Sequence, residues 1–325
     1  MARYLLRRLL FLLLTLLLTS LIIFLVTQLL PGDVCRVILG REAGEGALAD
    51  CRERLGLDDP AALQYLRWLG SFLQGDWGES FSTRSLIRPL VLERLENSLR
   101  LALVTMVISV PLALFLGVVA GLNAGRPLDS LISIGSLAVV GLPEFVTGLV
   151  LIELLAFRLN GWLQARFGIS PFPANSSVRP DATFGEALPM LILPALTATL
   201  VLLAYIARLT RAGVVEELRR PYVRTAILKG LPRRTVVWRH VLRNALLPAI
   251  TVIAISFGWL ISGLIVVENV FNYPGLGRLL LFAIDRRDLP LLQAVTMVTV
   301  FGFALANLLA DLLYAWLNPR IRLGG

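Results

Sequence analysis

Two acidic residues inside one long apolar run are the first candidates for chemistry in this sequence. Glu144 follows Pro143 near the middle of the run, and Glu153 lies nine residues further along it. A charged side chain at the centre of a membrane helix costs about 2.5–3.5 kcal/mol on insertion scales, so each acid requires a compensating interaction. Because nine residues make about two and a half helical turns, the two side chains point to roughly opposite sides of a helix. The pair therefore cannot line one narrow path together.

Two interpretations of these acids are open. Either one of them contacts a cationic group of a substrate, such as a peptide amino terminus, or each pairs with an arginine or a polar group on a neighbouring helix or subunit. The sequence leaves both open for Glu144, the candidate residue of a substrate path, and favours internal pairing for Glu153. Asn307 and Asp311 are four residues apart on one face, and we interpret them as hydrogen-bonding groups that hold helices together.

The residues that enzymes use for catalysis or metal binding do not form a recognisable set here. The single histidine, His240, stands beside arginines and has no carboxylate or nucleophile near it in the sequence. The phosphate-binding motif GxxxxGK[ST] is missing, as are HExxH, GxSxG and CxxC. We therefore predict no catalytic residue, no metal site and no cofactor, and no enzymatic activity on this chain alone. A membrane-embedded hydrolase is disfavoured for the same reason.

Cys35 and Cys51 are the only cysteines, and both fall in a polar segment that the topology below places outside the membrane. Disulfides form and persist in oxidising extracytoplasmic compartments. A bridge that closes about 17 residues would stabilise the fold by roughly 3 kcal/mol through loop entropy. We therefore favour a disulfide over the alternative, which is two unpaired thiols buried as small apolar side chains.

The elements that must position these residues are long apolar helices. The chain has 325 residues, of which 57% are hydrophobic and 16% are charged, whereas soluble domains carry about 25% charged residues. Several apolar runs are continuous and reach the roughly 20 residues that a membrane-spanning helix needs. The sequence therefore predicts an all-α polytopic membrane protein with six transmembrane helices. The predicted spans are 9–30, 98–122, 131–157 with a break at 141–143, 188–207, 245–267 and 290–316.

The spans divide the chain into regions of different character. The first apolar run is too long for a signal peptide and lacks its cleavage site, so we expect an uncleaved helix. An acidic insert follows it outside the membrane, with short helices predicted at 47–55 and 61–73. The predicted regions are the first transmembrane helix 1–31, the extracytoplasmic insert 32–96, a five-helix core 97–316 that contains the cytoplasmic loop 208–248, and a cytoplasmic tail 317–325.

The distribution of charge predicts which side of the membrane each segment faces. The formal net charge is +9, from 31 basic and 22 acidic residues. Nearly all of the basic excess lies at the amino end, in the loop 208–248 and at the carboxyl end, and such segments stay in the cytoplasm. We therefore expect a multi-pass protein of the bacterial cytoplasmic (inner) membrane with both termini cytoplasmic. The lipid bilayer, and not nucleic acid, is the partner that this charge pattern indicates.

The basic loop 208–248 has a more specific feature than its charge. Pro221 before it and Gly230 after it bracket a short helix predicted at 223–229, because proline and glycine mark helix boundaries. Ala226 and Gly230 are four residues apart, so they share a face that allows close approach of another surface. An ordinary positively charged loop is the alternative interpretation. It explains the charge but not the short helix with a small-residue face.

A second motif, FNYPGLG, lies at 271–277 in a segment predicted to be external. Its Pro-Gly pair suits a type II turn, and two aromatic residues precede the turn. The segment could dock a partner or plug an external gate, or it could be a packed loop that caps the helices. The sequence leaves these alternatives open.

The basic loop contains the sequence PYVRTAILKGLPRRTVVWRHVLRNALLP. This sequence resembles the cytoplasmic coupling-loop signature, the EAA loop, of binding-protein-dependent ABC-transporter permeases, and it is most similar to the dipeptide/oligopeptide/nickel class. Three further stretches are similar to that class, namely RYLLRRLL…LPGD, ERLGLDDP…QYLRWLGSFLQGDWGES and VVENVFNYPGLGRLL…RDLP…ANLLADLLYAWLNPRIR. The resemblance spans almost the whole chain and is weakest between about residues 140 and 190.

The resemblance implies a permease with the type I ABC importer fold that pairs with a second homologous permease, two cytoplasmic P-loop ATPase subunits and an extracytoplasmic substrate-binding protein. Its implied function is ATP-driven import of di- or oligopeptides, or of a related small solute, by alternating access. Ala226 and Gly230 are expected at the closest contacts with the ATPase. The broad consensus Glu-Ala-Ala is replaced here by Arg224-Thr225-Ala226, so the acid is lost as a contact. The residues expected to couple to the ATPase are Tyr222, Arg224, Ala226, Lys229, Gly230 and Leu231.

A self-sufficient secondary transporter or channel for small solutes is the alternative function. It predicts internal inverted repeats with paired broken helices, and no convincing repeat relates the two halves of this sequence. It would also leave the short helix of the basic loop without a partner. The permease of an ABC importer is therefore the favoured interpretation.

Overall fold

The protein is almost entirely helical. The structure, a computed structural model, describes residues 2–29, 34–40, 42–179 and 182–317. Within these residues it contains sixteen α-helices, two π-helical segments and no β-sheet. The α-helices are α1 (Ala2–Leu29), α2 (Val34–Leu39), α3 (Glu45–Leu55), α4 (Ala61–Gln74), α5 (Ile87–Leu122), α6 (Pro127–Val140), α7 (Glu144–Leu151), α8 (Asn160–Phe167), α9 (Phe184–Leu218), α10 (Pro221–Leu228), α11 (Arg233–Thr235), α12 (Leu242–Ala245), α13 (Leu247–Gly263), α14 (Ile265–Val270), α15 (Leu276–Arg286) and α16 (Leu289–Leu317). The π-helical segments are Ile152–Leu159, between α7 and α8, and Val236–Val241, between α11 and α12.

Six segments in the described part of the chain are long and apolar enough to cross a membrane. Five are continuous helical rods, and the sixth is a pair of helical segments bent by 47°. This confirms the predicted all-α architecture with six membrane-spanning segments. Their bounds are Leu6–Leu29, Ile87–Leu122, Glu144–Phe167, Phe184–Leu218, the bent pair Arg233–Ala245 and Leu247–Ile261, and Leu289–Leu312.

Two predicted spans are parts of longer helices. α5 begins at Ile87 instead of residue 98, so it extends into the region assigned to the extracytoplasmic insert. α9 begins at a capping box and continues to Leu218, so the first part of the basic loop is helical and continuous with a span. The extension of α5 before residue 98 and that of α9 after residue 207 both carry charged side chains, and therefore the apolar run is shorter than the helix.

The third span differs most from its prediction. The predicted interruption at 141–143 is present, because α6 ends at Val140 and α7 begins at Glu144. However, α6 has only 14 residues, and the long rod is Glu144–Phe167, beyond the break. The predicted bounds 131–157 are therefore wrong. The break follows from Pro143, which precedes α7 and cannot continue a helix from the preceding turn.

α5 and α9 run side by side in the same direction and form the centre of the molecule. Two glycines of α5 allow their approach. A Cβ at Gly117 would lie 2.5 Å from Thr210 Cβ, and a Cβ at Gly121 would lie 2.7 Å from Val214 Cβ. Side chains of both helices and of α13 and α14 share one buried apolar cluster. Close approach through small residues is typical of helices inside membranes, where the hydrophobic effect does not drive helix association.

The segment predicted to be an extracytoplasmic insert packs on the first helix. Tyr65 Oη lies 2.8 Å from Ser20 Oγ, and its ring centroid is 5.5 Å from that of Phe24. The side-chain amide of Gln28 donates to that of Gln64 at 2.8 Å. The two helices predicted in the insert are present as α3 and α4. Contact with α1 supplies the packing that so short a segment cannot supply alone.

α1 and α16 are antiparallel neighbours. Arg8, near the start of α1, forms an ion pair with Asp311, near the end of α16, at 2.6 Å. Gln293, near the start of α16, donates to Thr27 Oγ1, near the end of α1, at 2.7 Å. The ion pair supports the structural interpretation of Asp311. It also places the beginning of α1 and the end of α16 on the same side of the bundle.

Candidate functional site

The short helix α10 has a proline at its start and a glycine just beyond its end. Pro221 occupies the first turn, where its missing N–H costs no hydrogen bond. The chain turns away at Gly230, whose φ of 77° lies in the left-handed region that glycine adopts readily. The N–H of Leu231 then donates to Ala226 O at 3.3 Å. The predicted short helix is therefore present, with bounds Pro221–Leu228.

One face of α10 packs on helices of the same chain. Val223 is 3% exposed and Ala226 is 9% exposed, and both join a buried cluster with side chains of the segment Val236–Val241. The same cluster includes Val214 of α9. The small side chain of Ala226 thus allows α10 to approach its own neighbours. Little of the Ala226 side chain reaches the surface, and its expected position at the contact with an ATPase stays a prediction.

Tyr222 connects α10 to the two helical segments beside it. Its hydroxyl donates to Glu217, near the end of α9, at 2.5 Å and lies 3.3 Å from the carbonyl oxygen of His240. Asn244 donates from its amide to the same hydroxyl at 3.3 Å. Burial and then the hydrogen bond to Glu217 raise the pKa of Tyr222. The phenol is therefore a stable neutral donor that links α10 to both neighbouring segments.

The opposite face of α10 is apolar and basic, and it is exposed. Ile227 is 55% exposed and Leu228 is 80% exposed, and Arg224 and Lys229 are exposed beside them. Gly230 also faces open space, since a Cβ there would meet nothing within 4 Å. Large exposed apolar side chains flanked by charges are typical of protein contact surfaces. We call residues 224 and 227–231 the outer face of α10.

A largely buried ion pair joins α6 to α9. Arg211 donates from Nε to Asp129 Oδ1 at 2.5 Å and from Nη2 to Asp129 Oδ2 at 2.7 Å. The N–H of Gly125 also donates to Oδ2, at 2.9 Å. The hydrogen bonds from Arg211 and Gly125 hold the pKa of Asp129 well below its usual range. From the sequence Asp129 is only a loop charge, and no local pattern identifies a pair 82 residues apart.

Glu144 and Glu153 are in different situations. Glu144 is the first residue of α7, directly after Pro143, and it is half-buried. Its Oε1 atom is buried and has no hydrogen-bond partner among the residues that the structure describes. Glu153 instead pairs with Arg158 at 2.9 Å on the same rod. The sequence favoured a partner on a neighbouring helix or subunit for Glu153, whereas the observed partner lies on the same helical segment.

Glu268, which sequence reasoning missed, lies at the centre of a buried network beyond the fifth span. The residue is 1% exposed. Ser98 Oγ donates to its Oε1 at 2.6 Å, and the N–H of Arg278 donates to its Oε2 at 3.0 Å. Gly275 passes so close that a Cβ there would collide with the carboxylate. Burial raises the pKa of Glu268 to about 7, against the opposing effect of these donors.

The segment 271–277 is part of the same buried network. Phe271 and Tyr273 are 0% exposed. Tyr273 Oη donates to Asn97 O at 2.8 Å, and the amide of Asn97 donates to Pro274 O at 3.0 Å. Of the open interpretations, the packed loop is the one that the structure supports. An acid within the apolar run VVENVF was the sequence signal that could have identified Glu268.

Cys35 and Cys51 form a disulfide bond, with Cα atoms 5.9 Å apart. The bond joins α2 to α3, and Cys35 is fully buried. It ties the two short helices of the insert that precede α4, the helix that packs on α1.

Two family descriptions match the chain in succession. Residues 1–102 match the amino-terminal region of a binding-protein-dependent transport system membrane component. Residues 113–323 match the binding-protein-dependent transport system inner membrane component. The second match includes both α10 and the break that carries Glu144.

Named bacterial permeases are similar over the full length. The chain is 37% identical to a probable peptide ABC transporter permease of Sinorhizobium fredii, over 99% of this chain and 100% of that relative. It is 37% identical to a glutathione transport system permease of Salmonella paratyphi A, with 99% of each covered. The crystal structure of an amino acid ABC transporter aligns with a TM-score of 0.51 at 17% identity, over 70% of this chain and 93% of that chain. This last match indicates a shared fold.

Proposed function

The chain belongs to the family of binding-protein-dependent transport system inner membrane components, and from this membership we propose that it imports peptides as the permease subunit of an ATP-driven importer. The observation that carries the proposal is the full-length similarity to a probable peptide permease and to a glutathione permease. Glutathione is itself a small peptide. The proposed substrates are therefore di- or oligopeptides, or a related small solute with peptide-like ends.

The proposed assembly contains a second homologous permease, two cytoplasmic P-loop ATPase subunits and an extracytoplasmic substrate-binding protein. ATP hydrolysis takes place on the ATPase subunits, so this chain is a transporter subunit and not an enzyme. Its family and its apolar helices identify a multi-pass inner-membrane protein. The adjacent ends of α1 and α16 and the basic residues around α10 support an orientation with both termini in the cytoplasm.

The proposed coupling surface is the outer face of α10, with Arg224, Lys229, Gly230 and Leu231 as its contact positions. Tyr222 supports this surface from behind, since its hydroxyl reaches both α9 and the segment that leads into the fifth span. When the ATPase subunits close, force on α10 is transmitted through Tyr222 and the buried cluster to these two helices. Alternating access then follows from movement of the two permeases relative to each other.

The outer face of α10 is tested by the variant Leu228→Asp in the complete transporter. Leu228 is 80% exposed, so the substitution should leave folding intact. A charge placed in an apolar contact should prevent co-purification of the ATPase subunits and abolish peptide uptake. The matched control is Leu73→Asp, because Leu73 is 77% exposed on α4 of the insert. Retention of the ATPase subunits by Leu228→Asp would show that the contact lies elsewhere.

Reconstitution distinguishes the importer from its alternative function. Peptide uptake into liposomes should require ATP, the ATPase subunits and the binding protein. Uptake by this chain alone would favour a secondary transporter or channel instead. If the assembled transporter hydrolyses ATP but carries no peptide, the proposed substrate class is wrong while the permease assignment stands.

We further propose that Glu144 lines the transport path. It is the first residue of the span Glu144–Phe167, at the break that separates this span from α6. Transporters often bind their substrates beside interrupted helices. Its buried oxygen has no hydrogen-bond partner within the described residues, and an unsatisfied buried acceptor is costly. A cationic group of a passing substrate would satisfy it.

A further inference from the structure

A cavity of about 340 Å³ lies between α6 and α9, with α5 behind it. Small side chains, Ala204 and Ala207, leave room for it on α9. The α6 wall carries the hydroxyl of Ser136 and the apolar side chain of Val140. The cavity is therefore apolar over much of its wall and has polar groups toward one end. It is large enough for a few amino-acid residues of a ligand.

Two arginines line the polar end of the cavity, and only one of them is paired with an acidic side chain among the described residues. Arg211 is neutralised by its two hydrogen bonds to Asp129. Arg208 makes no ion pair with any residue in the described ranges, and its guanidinium lies 5.7 Å from the ring centroid of Tyr205. No acidic side chain is among the described residues that line the cavity. The cavity thus presents one uncompensated positive charge, which attracts an anionic group.

We propose that Arg208 binds the carboxylate of the transported peptide in this cavity, an inference that rests on the proposed function. A planar guanidinium matches a carboxylate with two parallel hydrogen bonds, which makes arginine well suited to this task. Tyr205 holds the guanidinium from one side through a cation–π contact and leaves its other side open. The apolar walls accommodate the side chains of the peptide.

The far end of the cavity supports the same assignment. Val140 lines it and is four residues before Glu144, across the break. From Ser133, which bonds to Asp129, to Val140 a helix rises about 10 Å. An extended tripeptide also spans about 10 Å. A peptide whose carboxylate sits on Arg208 therefore extends its amino terminus toward the break that precedes Glu144, which itself is not among the lining residues.

Uptake of paired substrates tests Arg208 directly. The complete transporter in liposomes is assayed with trialanine and with its carboxy-terminal amide, for the wild type, Arg208→Gln, Arg208→Lys and the control Arg126→Gln, an exposed arginine before α6. For each variant, the rate of uptake of trialanine is divided by that of its amide, which gives the acid-to-amide ratio. The binding protein is the same in every assay, so its own preference for one peptide cancels when these ratios are compared between variants. Arg208→Gln should lower the acid-to-amide ratio about tenfold, Arg208→Lys should restore part of it, and the control should not change it.

Protection from thiol labelling tests the cavity without transport. In Ser136→Cys the introduced thiol lines the cavity, while the native cysteines are bridged. Trialanine should slow labelling by a maleimide more than its amide does, and Arg208→Gln should remove the difference. Equal protection by acid and amide, or none, would overturn the inference. An equal loss of both uptakes in Arg208→Gln would also overturn it.

The two assays separate the inference from the proposed function. If the wild type takes up neither trialanine nor its amide, peptide import is wrong. The labelling assay would then still report whether a carboxylate binds beside Arg208. If the wild type takes up peptides and labelling shows no dependence on the carboxylate, only the inference is wrong.

Discussion

Replacing Glu268 by glutamine should change how the stability of the permease depends on pH. Folding buries this carboxyl group beside Ser98, and burial raises its pKa to about 7 from the ordinary value of 4.5. Because the pKa is raised, the folded protein keeps a proton that the unfolded chain has lost at intermediate pH. The stabilisation is therefore complete below about pH 4.5 and is lost as the pH rises through about 7.

The magnitude follows from the difference between the two pKa values. One pKa unit is worth about 1.4 kcal/mol, so the full effect on the free energy of unfolding is about 3 kcal/mol. About 2 kcal/mol of it falls between pH 5.5 and pH 8. In Glu268→Gln the side chain is neutral at every pH, so this contribution disappears. The wild type should thus lose about 2 kcal/mol more than the variant over this range.

The measurement is chemical unfolding of the purified permease in detergent at the two pH values. The control is Glu153→Gln, because Glu153 is exposed and its ion pair with Arg158 contributes little. The control should show the pH dependence of the wild type. Equal losses of stability in the wild type and Glu268→Gln would refute the reasoning, as would a wild type that is more stable at pH 8.

Three further perturbations address the path, the α6–α9 contact and the insert. Glu144→Gln should lower uptake of cationic peptides more than that of neutral ones, and an equal effect on both would exclude a substrate contact. Asp129→Asn should lower the free energy of unfolding by about 2 kcal/mol, because Arg211 loses charge-assisted hydrogen bonds. An unchanged unfolding midpoint would mean that this ion pair does not stabilise the fold. A thiol reagent should label Cys35 and Cys51 only after reduction, and labelling without reductant would contradict the bridge.

Local sequence was sufficient for features that depend on composition and on near neighbours. Apolar runs identify the spans, because a bilayer demands a fixed length of apolar helix regardless of what surrounds it. Pro143 and Pro221 identify a break and a helix start, since proline acts on the backbone within one turn. The bounds of α5 and α9 were missed because these helices continue beyond the apolar runs as segments with charged side chains.

Contacts between distant segments were decided only by the tertiary structure. Ala226 has the small side chain that a close approach requires, but only packing shows that α10 approaches its own chain through it. Two carboxyl groups illustrate this, because Asp129 contacts Arg211 and Glu268 contacts Ser98, in each case from a distant part of the sequence. The pKa values of both carboxyl groups depend on burial and on these partners from other helices.

The amino-acid sequence by itself thus determined that the chain is a six-span helical membrane protein with a short helix between its fourth and fifth spans. The reason is that these properties follow from runs of apolar residues and from the backbone limits of proline and glycine. The tertiary structure alone decided which face of α10 is free, which arginine keeps an uncompensated charge, and which acids are buried. Those properties depend on what lies within a few ångströms in space, and separation along the chain does not reveal that.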